Sequence, residues 1–174
     1  IFVTGEAGCG KSHLIGDIVT KRMQSSSPSI LLLGQLFTEA SDPLTQIGAL
    51  LGIRCCKERL LSQLNNYGTR KNTPIIIFID AINEGAGQDY WQRFLDGLTA
   101  SIEEYDFLKL VVSFRISEMK NWFYDLAHNT NNTVYVHKGF QGREREAAQY
   151  MFSAFSLDQP LWPMYGSEFT NPLF

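Results

Sequence analysis

The 174-residue sequence is poor in cysteine, with three: Cys9, Cys55 and Cys56. Two of them are adjacent and none forms a C-x-x-C pair. Neither a disulfide scaffold nor a cysteine-held metal is therefore expected, and reduced thiols in a cytoplasmic protein are. No apolar run approaches the roughly 18 residues of a membrane span, and no signal-peptide pattern opens the chain. An excess of charge of one sign is missing too. Lys and Arg number 15 against 18 Asp and Glu, a net charge of −3, which gives no electrostatic basis for nucleic acid or an anionic membrane as a partner. Internal repeats and low-complexity tracts are absent. His13, His128 and His137 share no metal-ligand spacing and read as surface or helix-facing side chains. Asn131-Asn132-Thr133 fits a glycosylation pattern that is short and common. What the chain does have is apolar residues, 44% of the total, and 13% aromatics. That is enough for a buried core in about one domain.

The chain opens on Ile rather than Met, inside an apolar run, and closes on Asn171-Pro172-Leu173-Phe174. It reads as a segment of a longer protein whose flanking functions lie outside it. Five β-branched-rich runs predict buried strands at Ile1–Thr4, Ile30–Leu36, Ile75–Ile79, Leu108–Phe114 and Thr133–Val136. They are nearly continuous rather than alternating, the habit of a parallel sheet covered on both faces. Helical patterns fall between them. Leu14, Ile15, Ile18, Val19 and Met23 form one stripe. Asp42 as N-cap with Pro43 at the first helical position leads into Leu44, Ile47, Leu50 and Leu51. Leu60, Leu61 and Leu64 mark a third helix; Trp91, Phe94, Leu95, Leu98, Ile102 and Tyr105 mark a fourth, strongly amphipathic one. Gly139 and Gly142 then break the chain before a last helical face of Ala147, Tyr150, Met151, Ala154 and Phe155. Residues from about Ser156, with Pro160, Trp162, Pro163 and Tyr165, read as an irregular connector. The alternation predicts a three-layer α/β domain with a mostly parallel five-stranded sheet. The expected division is a core over residues 1–140 and the start of a helical subdomain over 141–174.

The strongest chemical signal is Gly5-Glu6-Ala7-Gly8-Cys9-Gly10-Lys11-Ser12, which fits G-x-x-x-x-G-K-[ST] directly between a strand and a helix. Glycines let successive backbone N–H groups turn inward as an anion nest, and the helix N-terminus adds its positive end. Lys11 supplies a charge for β- and γ-phosphates and Ser12 a hydroxyl for Mg²⁺. With His13 next in line, residues 5–13 are the candidate nucleotide-binding stretch. Ile75–Ile79 ends in Asp80, placed at the carboxyl edge of a parallel sheet, where it can hold Mg²⁺ through water. Beyond it, Ala81-Ile82-Asn83-Glu84 contains one carboxylate, making Glu84 the candidate general base; Asn83 can position water without taking its proton. Leu110-Val111-Val112-Ser113-Phe114 ends in Arg115, on the same edge and able to sense a γ-phosphate. Arg143-Glu144-Arg145-Glu146 reads as a charged helix start, and Trp122 and Phe123 as core.

In this order, Gly5–Ser12, Asp80-Ala81-Ile82-Asn83-Glu84, Ser113-Phe114-Arg115 and Asn171-Pro172-Leu173, the sequence resembles the STAND class of P-loop NTPases. Within it, the likeness is greatest to the NACHT-like ATPase module of the antiviral STAND (Avs) proteins of prokaryotes. The resemblance implies ATP and Mg²⁺ as cofactors. It assigns Lys11 and Ser12 to the Walker A lysine and magnesium serine, Asp80 to the Walker B aspartate, Arg115 to the sensor-1 arginine, and Pro172 to a proline that packs near adenine. NACHT proteins commonly carry a second Asp where this chain has Asn83. AAA+ motors usually carry Glu immediately after the Walker B Asp, where this chain has Ala81. The resemblance further implies an effector domain, such as a nuclease, before this module and a repeat sensor after it. That sensor binds a phage protein such as terminase or portal. Oligomerisation with ATP, commonly to a tetramer, then fires the effector. The expected function is a nucleotide-gated switch in anti-phage defence with slow hydrolysis. The alternatives are an AAA+-like motor with steady turnover and a nucleotide-binding scaffold without chemistry.

Overall fold

A computed structural model describes residues 1–117, 132–158 and 167–172. Trp122, Phe123, His128, Asn131, Pro160, Trp162, Pro163, Tyr165 and Leu173 lie outside the described residues. The elements run β1 (Phe2–Gly5), α1 (Lys11–Gln24), β2 (Ser29–Leu33), a 3₁₀ turn (Gly34–Leu36), α2 (Pro43–Leu50), α3 (Lys57–Lys71), β3 (Ile75–Asp80), α4 (Gly87–Glu103), β4 (Leu108–Arg115), β5 (Val134–Val136), α5 (Glu144–Ala154) and a second 3₁₀ turn (Ser167–Thr170). The five strands form one sheet in the order β2-β3-β4-β1-β5, and every pairing is parallel. This is the α/β architecture expected from the alternating pattern.

Alternation along the strands splits the core in two. One face carries Phe2, Ile75, Ile77, Ile79, Leu110, Val112 and Phe114 against α2, α3 and α4. The other carries Val3, Phe78 and Val111 against Ile15 and Val19 of α1. The first is much the larger, because α4 buries Tyr90, Trp91, Leu95, Leu98 and Ile102 along one stripe, each worth about 1.5–3 kcal/mol of burial before conformational entropy.

Several expectations need correction. The second strand stops at Leu33, and Gly34–Leu36 turns into a 3₁₀ helix, because its ladder partner β3 ends opposite Leu33 at Asp80. The α1 stripe is narrower than its sequence pattern: Ile18 and Met23 are exposed, while Ile15 and Val19, with the partly buried Leu14, pack on the sheet. On α5 the buried residue is Ala148, while Tyr150 and Phe155 are 78% and 72% exposed. This helix packs on the second 3₁₀ turn, with the Phe152 and Phe169 rings 6.4 Å apart, so its buried face is set by that turn.

The N-terminus of α2 is built as its sequence suggests. Thr45 N–H donates to Asp42 Oδ1 at 3.2 Å, Thr45 Oγ1 donates to Asp42 Oδ2 at 2.6 Å, and Pro43 occupies the first turn. Partial burial opposes ionisation of Asp42, but the Thr45 hydroxyl and N–H and the charge of Lys57 outweigh it and hold its carboxyl below the usual range. Asp42→Ala should cost about 1 kcal/mol, lowering the melting temperature by roughly 2–4 °C. The depressed pKa means this stabilisation is present above about pH 4 and lost as the pH falls through the folded-state value. Melting curves of both proteins should therefore converge in acid; a difference that persists below that pH would show the carboxylate is not the source.

Candidate functional site

Strand order places the site. β4 lies between β1 and β3, so the carboxyl ends of three neighbouring strands meet. Gly5 is in register with Arg115 across β1 and β4, and Asp80 closes β3 one step beyond the Ile79–Val112 pair.

From Gly5 the chain turns through Gly8 and Gly10, whose φ angles of +74° and +96° lie in the left-handed region that favours glycine. Gly10 then starts α1, with Leu14 N–H donating to its carbonyl at 2.9 Å. No side chain caps this helix and no acidic residue occupies its first turn. Its first N–H groups and positive dipole end are therefore available to an anion. Lys11 is 9% exposed. Its ammonium donates to the carbonyls of Gly5 at 3.0 Å and Glu6 at 2.8 Å and lies 3.7 Å from Cys9 Sγ. The charge that would meet a phosphate is thus latched onto the loop's own backbone. Glu6 and Ala7 are exposed beside it, as are Ser12 and His13 on the first turn of α1.

Asp80 is buried, and its Oδ1 accepts a short hydrogen bond from Ser113 Oγ. The same Ser113 hydroxyl accepts from Ala81 N–H at 2.8 Å, and Ile82 N–H donates to the Ser113 carbonyl at 2.9 Å. Ser113 therefore ties the end of β3 to β4 and fixes the carboxylate of Asp80. Asn83 has a similar structural task, its Oδ1 accepting from Arg115 N–H at 3.1 Å. Glu84 Oε1 is 3.6 Å from Arg115 Nη2, both side chains being a little under half exposed. At that exposure an ion pair is worth about 0–1 kcal/mol, so either partner can be drawn to another charge at small cost.

These parts surround a cleft of about 240 Å³ lined by Gly8, Gly10, Lys11, Ser12, His13, Ala81, Asn83, Glu84, Ser113, Arg115 and Pro172. Asp80 stands behind Ser113 rather than on the wall. Pro172 arrives from the far end of the chain: a Cβ built on Gly10 would lie 3.2 Å from Pro172 Cγ, and Asn171 Nδ2 approaches the Ala7 carbonyl at 3.5 Å. Gly139, at φ +62°, lets this segment dock, since any Cβ there would overlap the Thr170 carbonyl oxygen that accepts from Phe140 N–H at 2.9 Å.

Two residues were not legible as site residues in the sequence. Ser113 reads there as an interior position of an apolar strand. His137 reads as a surface or helix-facing histidine, yet its ring lies against the phosphate loop, with Nε2 3.6 Å from a Cβ built on Gly10. Burial and the Lys11 ammonium push its pKa below the usual histidine value, and the neighbouring Cys9 backbone partly offsets them. Its position directly after β5, level with the end of β1, is the one clue, and it needs the sheet order to be read.

Magnesium suits these donors. Among the described residues no cluster of His, Cys, Asp and Glu forms a metal cage. The exposed Ser12 hydroxyl and the Asp80 carboxylate are hard oxygen donors of the kind that hold Mg²⁺ together with phosphates and water.

No protein-family model and no curated protein matches the chain. Among solved structures, it is similar to a Walker-type ATPase of Pyrococcus abyssi, with a TM-score of 0.60 and 17% identity over 91% of this chain and 54% of that one. It is also similar to the ORC2 protein of Aeropyrum pernix, solved in ADPNP–ADP complexes, with a TM-score of 0.53 and 12% identity over 93% of this chain and 47% of that one. At these identities the likeness is one of fold, and the chain spans about half the length of the structures it matches.

Proposed function

We propose that this chain, which has the fold of P-loop ATPases, binds ATP with Mg²⁺ and acts as the nucleotide-gated module of an antiviral STAND protein of the NACHT-like kind. The observation that carries nucleotide binding is the uncapped start of α1 behind Gly8 and Gly10, with Lys11 buried beside it and Asp80 fixed by Ser113 on the neighbouring strands. Lys11 would exchange its loop carbonyls for β- and γ-phosphate oxygens. Ser12 would hold the metal, which neutralises phosphate charge when bound, and Asp80, set back from the cleft wall, would hold it through water. Glu84 would orient and deprotonate the attacking water, and Arg115 would read the γ-phosphate. At about 240 Å³ the cleft is below the roughly 300–1,000 Å³ of pockets that enclose a drug-sized ligand, a size for the phosphate end of a nucleotide. The Aeropyrum pernix neighbour's ADPNP–ADP complexes support a nucleotide as the ligand.

A switch is favoured over a motor by the position after Asp80. There Ala81 sits at φ +57° with its N–H committed to Ser113, where a motor would present a carboxylate. Glu84, the next carboxylate, stands three residues further on, 3.6 Å from Arg115. Residues 1–140 would form the ATPase core, and 141–174 the start of the helical part that responds to nucleotide. In the intact protein, a sensor domain would recognise a phage protein such as terminase or portal. A homo-oligomer, a tetramer by resemblance, would then activate the effector, in the cytoplasm.

The test is phosphate release by the protein that carries this chain, with ATP and Mg²⁺ and no partner, alongside ATP binding measured by calorimetry. Binding with negligible turnover is the expected result. Sustained turnover abolished by Glu84→Gln would replace the switch with the motor, and no ATP binding would overturn the nucleotide site itself.

A further inference from the structure

We propose that His137 is a positioning residue of the phosphate loop, holding the Cys9–Gly10 stretch from outside in the shape that receives phosphate; this rests on the nucleotide site proposed above. The argument begins with what holds a loop whose Gly8 and Gly10 both occupy left-handed conformations. Glycine has more backbone freedom to lose than any other residue, so such a loop needs anchors if its N–H groups are to converge before a ligand arrives. From inside, the anchor is Lys11, through the carbonyls of Gly5 and Glu6. That anchor is given up when the ammonium turns to a phosphate, so the loop needs a second one that nucleotide does not take away.

His137 is placed for this. Its own backbone is fixed to the end of β1, with His137 N–H donating to the Thr4 carbonyl at 2.6 Å. Its carbonyl packs so closely on Gly5 that any Cβ there would overlap it. Its imidazole stacks on Tyr135, with centroids 6.2 Å apart and planes at 26°. It lies over Gly10, its Nε2 3.6 Å from where a Cβ there would stand, with Pro172 Cγ 3.2 Å from the same point. The ring therefore has a rigid mount, a stacking partner and a place against the loop. Held toward its neutral form by burial and by Lys11, it adds no positive charge to compete with the ammonium for phosphate.

The experiment measures ATP–Mg²⁺ affinity by calorimetry on the protein that carries this chain, for wild type, His137→Ala, His137→Gln and Lys11→Ala, with melting temperatures taken without nucleotide. His137→Ala should weaken ATP binding roughly 10-fold while its melting temperature stays within about 2 °C of wild type, as for a surface contact of modest worth. His137→Gln, which keeps a donor and a planar group, should recover most of the affinity. In protein labelled with ¹⁵N-histidine, the His137 ring resonances should shift when ATP is added. Wild-type affinity in His137→Ala would overturn the inference, as would a loss of affinity that simply follows a loss of thermal stability and is not rescued by Gln. Failure of wild type itself to bind ATP would instead overturn the nucleotide site on which the inference rests.

Discussion

Lys11→Ala should abolish measurable binding of ATP with Mg²⁺ and any assembly that depends on it. The side chain is nearly buried and carries the charge closest to the nest, with its Nζ within hydrogen-bonding reach of Gly5 and Glu6 carbonyls. Without it, a triphosphate would meet only backbone N–H groups and a helix dipole, a partial charge of about half a unit. Removing one partner of a desolvated charge pair costs about 2–5 kcal/mol, or roughly 30- to several thousand-fold in affinity. Stability should change much less. The bonds lost are to one buried carbonyl, that of Gly5, and one on the exposed Glu6, and removing a nearly buried ammonium also removes the cost of desolvating it. Calorimetric titration checks the binding and circular dichroism the fold. An alanine protein that binds ATP as wild type does would remove the loop's assignment, whatever the fold comparisons say.

Gly34→Ala should be a strongly damaging substitution despite its size. A Cβ there would overlap the Ala81 carbonyl oxygen and come within 2.6 Å of its carbon and 2.8 Å of Ile82 Cα. All of these are backbone atoms with no rotamer to escape into. The surroundings cannot yield easily, because Ala81 is bonded through its N–H to Ser113 and sits at φ +57°. From the other side Gly85, itself at φ +78°, packs within 2.9 Å of Gln35 Cα and the Phe37 carbonyl oxygen, measured from a Cβ built there. The turn after β2 and the loop after β3 are therefore nested backbone on backbone. Forcing them apart should cost about 3 kcal/mol or more, at the upper end of overpacking effects. That corresponds to a fall of roughly 6–12 °C in melting temperature for a domain of this size. ATP affinity should fall as well, because the displaced segment carries Ala81, Asn83 and Glu84 on the cleft wall. A melting temperature within 2 °C of wild type would show that the two segments can separate freely, and would remove the bracing role given to Gly34.

The turn at Gly34 also marks one departure of the structure from the sequence pattern. Ile30–Leu36 is an uninterrupted apolar run apart from Gly34 and Gln35, and periodicity alone carries the strand through it. The strand ends early because its ladder partner does: Leu33 pairs with Asp80, the last residue of β3, and Ala81 turns away at φ +57°. The α5 face errs for the same kind of reason. Tyr150 and Phe155 have helical spacing and apolar character, yet the surface that covers α5 is the turn bearing Phe169. Periodicity gives the stripe and says nothing of which side of it a neighbour will cover.

The amino-acid sequence by itself determined the strand–loop–helix unit at Gly5–Ser12, the existence of five strands, and the acid and arginine at the ends of two of them; that all five are buried was not borne out, because β2 and β5 are edge strands with Leu31, Leu33, Tyr135 and Val136 exposed. Each of these depends on residues within a few positions of one another: glycines that permit left-handed turns, β-branched runs that favour extended chain, and a cap beside its helix. Only the tertiary structure decided that β4 separates β1 from β3, and so that Ser113 bridges to Asp80 and Asn83 is spent on the Arg115 backbone. It likewise brought His137 and Pro172 to Gly10, and Asn171 to within 3.5 Å of a carbonyl 164 residues earlier in the chain. Parallel strands take their order from the crossovers and from which helix faces are covered. Contacts made across that order leave no local pattern for a sequence to display.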